Sequence, residues 1–315
     1  GSLLGSVTAV NVGQWESEFG IVLLQMPAGR SVYASTGSSC SVTCGRVSFA
    51  LGLQGPCASY NTACSASLVG SHGSVRALQR FECDSALSAG VNMVLDPSMM
   101  LVNAIAGFTS VRGRSHTFDV RADGYARGEA IGAIVCQLGE GGVMAGMLGS
   151  AVRQDGRSAS LTAPNGQAQQ ALLMASLADA HLAVNRMTAL EAHGTGTALG
   201  DPIEAGAVAS VLLTQRSADP LVVGSLKANA GHTEPGAGLV GALKLVLQLC
   251  ASAMPPNAQL RMLNPHVGAS LRSHAVCVLP TQVGALSVCE GEAVGGGGVS
   301  SFGYSGTIAH AVLRR

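Results

Sequence analysis

The chain has 315 residues, with 18 Lys and Arg against 18 Asp and Glu, and it is 47% hydrophobic and 11% charged. That balance excludes a disordered polypeptide and a nucleic-acid binder that relies on bulk positive charge. Aromatic residues are 3% while glycine reaches 42, so the interior must be packed from Ala, Val, Leu and Met with backbones close together, as in a multilayer α/β core that needs no metal or disulfide staple.

In chain order, the short apolar runs that read as strands are Val7–Asn11, Ala58–Tyr60, Ala89–Val94, Ala130–Gln137, Met187–Glu191, Leu221–Ser225, Ala275–Leu279 and Thr307–Leu313. Between them, helices are predicted over Val42–Leu51, Ser65–Gln79, Gln167–His181, Pro202–Leu212 and Gly236–Leu249. Asp201-Pro202 reads as a helix start, with Asp as N-cap and Pro at the first helical position. Gly295–Gly298 reads as a flexible run, a loop that must move or bring its backbone close to something. A boundary between two halves falls near residues 140–165, giving segments 1–145 and 146–315, and no repeat is visible in the sequence.

The nine cysteines are scattered without a C-x-x-C pair, and they read as reduced thiols of an intracellular chain, cytoplasmic or organellar, a plastid included. The best candidate for a membrane span, Leu239–Cys250, falls short of the ~20 residues a bilayer needs and contains Lys244, so no membrane partner is expected. The chain opens on Gly-Ser-Leu-Leu without an initiator Met and reads as a piece of something longer or as a processed product.

Three segments put a reactive side chain beside small residues at the end of an element. In Asn61-Thr62-Ala63-Cys64-Ser65-Ala66-Ser67-Leu68 a strand ends and a helix opens at the cysteine. A thiol there feels the positive end of the helix dipole, which favours the thiolate. In Glu191-Ala192-His193-Gly194-Thr195-Gly196-Thr197, followed by Gly200-Asp201-Pro202-Ile203-Glu204, a histidine leaves the carboxyl end of a strand, where open α/β sheets gather their sites. Lys227-Ala228-Asn229-Ala230-Gly231-His232-Thr233-Glu234 repeats that arrangement. Most free cysteines and lone histidines serve packing, and the remaining ones of this chain are read so. A zinc site at Cys64, His193 and His232 lacks a fourth ligand at a recognisable spacing. A Cys-His nucleophile of the papain kind leaves the second histidine without a task.

Together these segments resemble the β-ketoacyl synthases, the condensing enzymes of fatty-acid and polyketide synthesis, and specifically the polyketide-synthase type. Asn61–Leu68 is similar to the family's Asp-Thr-Ala-Cys-Ser-Ser-Ser-Leu, and the two histidine segments to Glu-Ala-His-Gly-Thr-Gly-Thr…Gly-Asp-Pro-Ile-Glu and Lys-Ser-Asn-Ile-Gly-His-Thr-Glu. Gly52–Pro56, Phe118-Asp119 with Ala122–Glu129, and Ser300–Thr307 agree as well, so the likeness runs from about residue 6 to the end. Asn61 stands where Asp is usual, and Ile308 where the family ordinarily has Asn.

The resemblance implies a thiolase-like fold, with duplicated βαβαβαββ halves in a five-layer α-β-α-β-α sandwich, usually a homodimer. It implies a decarboxylative Claisen condensation of a Cys64-bound acyl chain with a malonyl-type extender. Both substrates would be carried on the phosphopantetheine of an acyl carrier protein, with no intrinsic cofactor and no metal. Cys64 is then the nucleophile, His193 and His232 hold the thioester oxygen during decarboxylation, and Lys227 supports the electrostatics. The amides of Cys64 and Phe302 form the oxyanion hole, and Phe302 resembles the gating phenylalanine. Thr195, Thr197, Asp201 and Glu234 are expected to support the site, and Arg76, Arg80, Arg112 and Arg114 are a candidate patch for an acidic carrier. A family member ordinarily has about a hundred residues before the segment resembling Ser6–Gly13, without which sheet edges and apolar faces of the N-terminal half are exposed; those strands would come from another chain or from upstream. The competing reading is a catalytically silent synthase-like protein that assists an intact partner.

Overall fold

The computed structural model describes residues 3–15, 18–139, 141–214, 216, 219–271, 277–286 and 295–315. The first half contains β1 (Thr8–Gly13), α1 (Glu18–Leu24), α2 (Ala34–Ser38), α3 (Cys40–Leu51), β2 (Cys57–Tyr60), α4 (Ala66–Gln79), β3 (Ser85–Asn92), α5 (Pro97–Ile105) and β4 (Ala130–Gln137). The second contains β5 (Gly146–Gln154), α6 (Gly166–Asp179), β6 (Met187–Glu191), α7 (Gly200–Val208), β7 (Leu221–Gly224), α8 (Lys227–Ala230), α9 (Ala237–Ala251), β8 (Ala253–Met254), α10 (Pro265–Leu271), β9 (Cys277–Val278), β10 (Gly284–Ala285), β11 (Gly296–Phe302) and β12 (Thr307–Arg314).

Two mixed sheets result, of order β2-β1-β3-β4 and β5-β12-β11-β6-β7-β9. In the first, β1 runs parallel to β2 and β3, and β4 runs antiparallel to β3. In the second, β6 runs parallel to β7 and β11, and β12 runs antiparallel to β11. The four strands of the first sheet therefore repeat β7-β6-β11-β12 strand for strand, which exposes an internal duplication that the amino-acid pattern hides. Helices α4 and α9 lie between the sheets, α3 covers the outer face of the first, and α6 and α7 cover the outer face of the second. These are the five layers that the resemblance implies.

The duplication is unequal. In the second half β5 pairs with the free side of β12 and α6 packs over both strands. Beside β4 no strand stands in the corresponding place among the described residues. On one face of β4 the side chains of Ile131 and Val135 are 78% and 71% exposed, apolar surface of the kind folded proteins ordinarily cover.

Local signals account for a few boundaries. Asp96 caps α5 by accepting the Ser98 N–H, and Asn165 caps α6 by accepting those of Gln167 and Ala168. Helix α3 stops at Gly52, whose φ of 70° is the left-handed conformation typical after a helix end. Helix α9 and the turn before it are apolar over 18 residues, Glu234–Ala251, yet most of that stretch is buried between the two sheets, so it is a core helix here.

Two expectations change. The glycines from Gly296 onward are not a loop but the start of β11, whose residues are all buried. A Cβ built on Gly297 would fall 2.7 Å from Leu245 Cδ1, and one on Gly296 2.7 Å from Leu182 Cδ2, so these glycines serve close approach rather than movement. Asp201 does not cap α7, which begins at Gly200 after Leu199 without a side-chain cap; its carboxylate turns inward instead. Of the strand expected over Ala275–Leu279, Cys277–Val278 forms β9 and residues 275–276 lie outside the described residues. Ile308 is fully buried in a cluster with Ala151, Leu172 and Phe302, which explains an apolar residue at that position.

Candidate active site

Cys64 lies in the turn between β2 and α4, two residues ahead of the helix. The preceding Ala63 has φ 53°, a left-handed backbone that costs a non-glycine residue about 1 kcal/mol and recurs at functional turns. The Cys64 carbonyl accepts the Ser301 hydroxyl at 2.7 Å, which ties the turn to β11. His193 follows β6 and His232 follows α8, so the thiol from one half and both imidazoles from the other face one cavity of about 390 Å³. Thr195, Thr197, Tyr125, Phe108 and Tyr304 complete much of its lining.

His232 Nε2 is 3.0 Å from Cys64 Sγ. Its Nδ1 accepts the Glu234 N–H at 3.1 Å, so the neutral ring carries its proton on Nε2 and offers it to the sulfur. His193 is set the same way, with Nδ1 accepting the Phe302 N–H at 3.3 Å. Burial, followed by the positive charge of Lys227, keeps both imidazoles well below the usual histidine range. The site thus holds two neutral rings that present their Nε2–H groups as donors, His232 to the Cys64 sulfur.

The thiol does not follow the helix-dipole expectation. Burial, followed by the Glu234 charge, pushes Cys64 up to about 12, against the opposing pull of Lys227 and of the Cys64 and Tyr304 amides. At neutral pH the resting group is a thiol, because withdrawal from water outweighs the helix end. The amide that joins the Cys64 amide at the sulfur is Tyr304's, and the Phe302 N–H expected there is committed to His193. Phe302 is buried against the His193 ring at 5.3 Å, whereas Tyr304 is 41% exposed and packs 5.6 Å from both Trp15 and Phe108 at the cavity mouth.

The supporting residues hold the His193 turn. Glu204 accepts the His193 and Gly194 amides at 2.7 and 2.8 Å, and burial raises it to about 7. Asp201 accepts the Phe118 and Gly196 amides at 2.7 and 3.0 Å, and burial raises it to about 6. The Thr195 and Thr197 hydroxyls meet at 3.1 Å. Lys227 is buried, its ammonium disfavoured by that burial and partly restored by Glu191 and Glu204.

Behind His232 lies a charged group of which motif reading singles out only Glu234. The His232 N–H donates to the Ala126 carbonyl at 2.7 Å, and the Gly128 N–H donates back to the His232 carbonyl at 2.8 Å. Between them Arg127 binds Glu234 through two nitrogens at 3.0 and 2.9 Å and Glu18 at 2.6 Å, with all three side chains nearly inaccessible. Burial raises the Glu18 carboxyl, but Arg127 and the Asp96 and Leu95 amides outweigh it and hold the group below the ordinary glutamate value. Arg127 stood inside a quoted motif; its partner Glu18, 109 residues away, carried no local signal.

Outside the cavity, Arg76 is paired with Asp179 at 2.8 Å and Arg112 with Asp123 at 3.7 Å, so two of the four arginines of the expected docking patch already have carboxylate partners. Among the described residues no group of three or more His, Cys, Asp and Glu side chains is arranged to hold a metal ion.

Residues 1–140 match the family description "Beta-ketoacyl synthase, N-terminal domain" and residues 144–261 match "Beta-ketoacyl synthase, C-terminal domain". The chain is 40% identical over 325 residues to a phenolphthiocerol/phthiocerol polyketide synthase of Mycobacterium tuberculosis, in a match that covers 100% of this chain and 17% of the relative. It is 43% identical over 320 residues to a type I polyketide synthase of phenolphthiocerol synthesis from Mycobacterium bovis, with 99% and 15% covered. Among solved structures, the ketosynthase from module 6 of the bacillaene synthase of Bacillus subtilis 168 matches with a TM-score of 0.91 and 31% identity, over 99% of this chain and 55% of that one. An oxazolomycin ketosynthase domain of Streptomyces albus JA3453 matches with a TM-score of 0.88 and 30% identity, over 98% and 54%. The chain thus spans about half the length of those ketosynthases and less than a fifth of the curated synthases. A thiolase-like fold, the cysteine and two histidines on one cavity, and matches over both halves lead to one assignment: the chain belongs to the β-ketoacyl synthase family, as a ketosynthase domain of the polyketide-synthase type.

Proposed function

We propose that this chain is the condensing part of a polyketide synthase and carries out decarboxylative Claisen condensation between two carrier-bound thioesters. The observation that carries this reading is the convergence of Cys64 with two neutral imidazoles, both protonated on Nε2.

In the first half-reaction Cys64 Sγ attacks the acyl carbonyl, the carrier's C–S bond breaks, and the cysteine proton leaves on the departing phosphopantetheine thiol. The Cys64 and Tyr304 amides, which already face the sulfur, receive the developing oxyanion. In the second, a malonyl-type thioester loses carbon dioxide. The two Nε2–H groups donate to the enolate oxygen, and buried Lys227 favours the negative charge. The enolate carbon then attacks the Cys64 thioester, the C–S bond to Cys64 breaks, and the departing thiolate takes a proton from solvent water. In this reading the Thr195 and Thr197 hydroxyls, which line the cavity, meet the polar groups of the phosphopantetheine arm.

An acyl carrier protein is the partner that supplies both substrates, and a homodimer joined to further synthase domains is the assembly we assign. Its exposed apolar surface, including Ile131 and Val135 on β4, supports completion by additional chain. The reading is tested by supplying acyl-loaded enzyme with a malonyl carrier protein and measuring carbon dioxide and β-ketoacyl product by mass spectrometry. Product that depends on His193 and His232 supports it. Acyl loading with no carbon dioxide release in a folded, sheet-completed chain would contradict it.

A further inference from the structure

Strand β6 ends at Glu191, two residues before His193, and the side chain of Glu191 is buried without lining the catalytic cavity. Its Oε1 accepts the Leu226 N–H at 2.6 Å, at the residue that precedes Lys227 and opens α8. Its Oε2 pairs with Lys244 of α9, which is nearly as buried. Two glycines make room for the pair: a Cβ on Gly241 would fall 3.1 Å from Glu191 Cγ, and one on Gly224 3.5 Å from Lys244 Nζ. The neighbouring backbones are tied as well. Glu191 stands opposite Gly224 of β7, the Ala192 N–H donates to the Gly224 carbonyl at 2.8 Å, and Ser225 Oγ donates to the Gly194 carbonyl at 3.1 Å. The Glu191 carboxylate thus links the strand that presents His193 to the segment that carries Lys227 and His232.

We propose that Glu191 is a positioning residue for the condensation, fixing the spacing between His193 and the Lys227–His232 segment through the Leu226 amide, and that Lys244 is the counter-charge that lets its carboxylate stay in the core. This rests on the condensing reading above. In that reading the two histidines serve the loss of carbon dioxide, whereas acyl transfer to Cys64 uses the Cys64 and Tyr304 amides. A displaced Leu226 amide therefore disturbs the second half-reaction and spares the first. Lys244 acts on charge alone, since a lone carboxylate or ammonium in this slot is costly and a neutral pair of similar volume is not. A glutamine at position 191 still offers a carbonyl oxygen to the Leu226 N–H, and a leucine fills the slot without an acceptor.

The test measures both half-reactions in the sheet-completed enzyme: acyl loading of Cys64 by peptide mass spectrometry, and carbon dioxide release from a malonyl carrier protein. Glu191→Gln with Lys244→Met removes both charges and keeps the acceptor, and its kcat for carbon dioxide release stays close to the parent's. Glu191→Leu with Lys244→Met removes the acceptor too, and lowers that kcat about 10²-fold while KM for the malonyl carrier and the rate of acyl loading stay unchanged. Leu226→Pro is the second variant, because it removes the donor at a residue whose φ of −55° suits proline. It shows the same selective loss, and circular dichroism establishes which variants are folded. Folded variants that lack the Leu226 bond yet release carbon dioxide as fast as the glutamine variant overturn the proposal, as does an equal slowing of both half-reactions. A parent that loads acyl chains without releasing carbon dioxide contradicts the condensing reading itself, and this proposal with it.

Discussion

The Nε2–H of His232 is directed at Cys64 Sγ from 3.0 Å, while its Nδ1 is closed by the Glu234 amide. Residues 168 apart in sequence are thereby joined across the two halves, with the ring fixed as a donor rather than a base. The resting Cys64 is a thiol beside a neutral imidazole. That pairing determines how the site responds to pH and to loss of charge.

Because burial holds Cys64 at about 12, its thiolate fraction grows with pH throughout the neutral and mildly alkaline range. Alkylation of Cys64 by iodoacetamide should therefore accelerate about tenfold per pH unit between about pH 7 and 9, without a plateau. Removing the nearby positive charge with Lys227→Met raises the thiol further and slows alkylation severalfold at fixed pH. A plateau near neutrality, read by peptide mass spectrometry, would place the thiol far lower than its burial allows.

Arg127 is the counter-charge of two buried carboxylates. Arg127→Met leaves Glu18 and Glu234 facing each other without it and should cost about 3–5 kcal/mol in urea unfolding. Arg127→Lys should recover only part of this, since an ammonium cannot reproduce the two-nitrogen bond to Glu234.

Gly297 distinguishes a packed strand from a loop. An alanine in a mobile run with ordinary backbone angles stabilises by about 0.4–1 kcal/mol. Here its Cβ would meet fully buried Leu245, and Gly297→Ala should destabilise by about 1–3 kcal/mol in chemical denaturation.

The oxyanion assignment separates Tyr304 from Phe302. Tyr304→Ala retains the amide facing the thiol and should acylate within a few fold of the parent. Tyr304→Pro removes that N–H and should slow acyl transfer about 10²-fold. Circular dichroism establishes that both variants are folded, and equal rates in the two would remove Tyr304 from this role.

Cys64, His193, His232 and Lys227 were legible because each stands in a local motif at the end of an element. The donor at the sulfur was not. Whether Phe302 or Tyr304 turns its amide to Cys64 depends on the bend between β11 and β12, which residue types alone do not specify. Gly296 and Gly297 looked mobile because glycine permits both a loop and a close approach, and the approach is made by Leu182 and Leu245, distant in sequence. Helix α5 is absent from the predicted elements, although Asp96-Pro97 carries the cap-then-proline signal that marks its start. Asp201-Pro202 has the same signal, but there the aspartate serves the Phe118 and Gly196 amides. The internal duplication, which the family resemblance implies, has no visible repeat in the sequence and is carried by the matching strand pairings of the two sheets.

The central claim is that Cys64 is the acyl-accepting nucleophile of the assembled cavity. Its most direct test is intact-mass and peptide mass spectrometry after incubation with an acyl thioester, comparing the parent chain with Cys64→Ala. A single acyl adduct confined to the Cys64 peptide, and absent from the variant, is the predicted result. An adduct on other cysteines that survives Cys64→Ala, or no adduct on a folded chain, would contradict it.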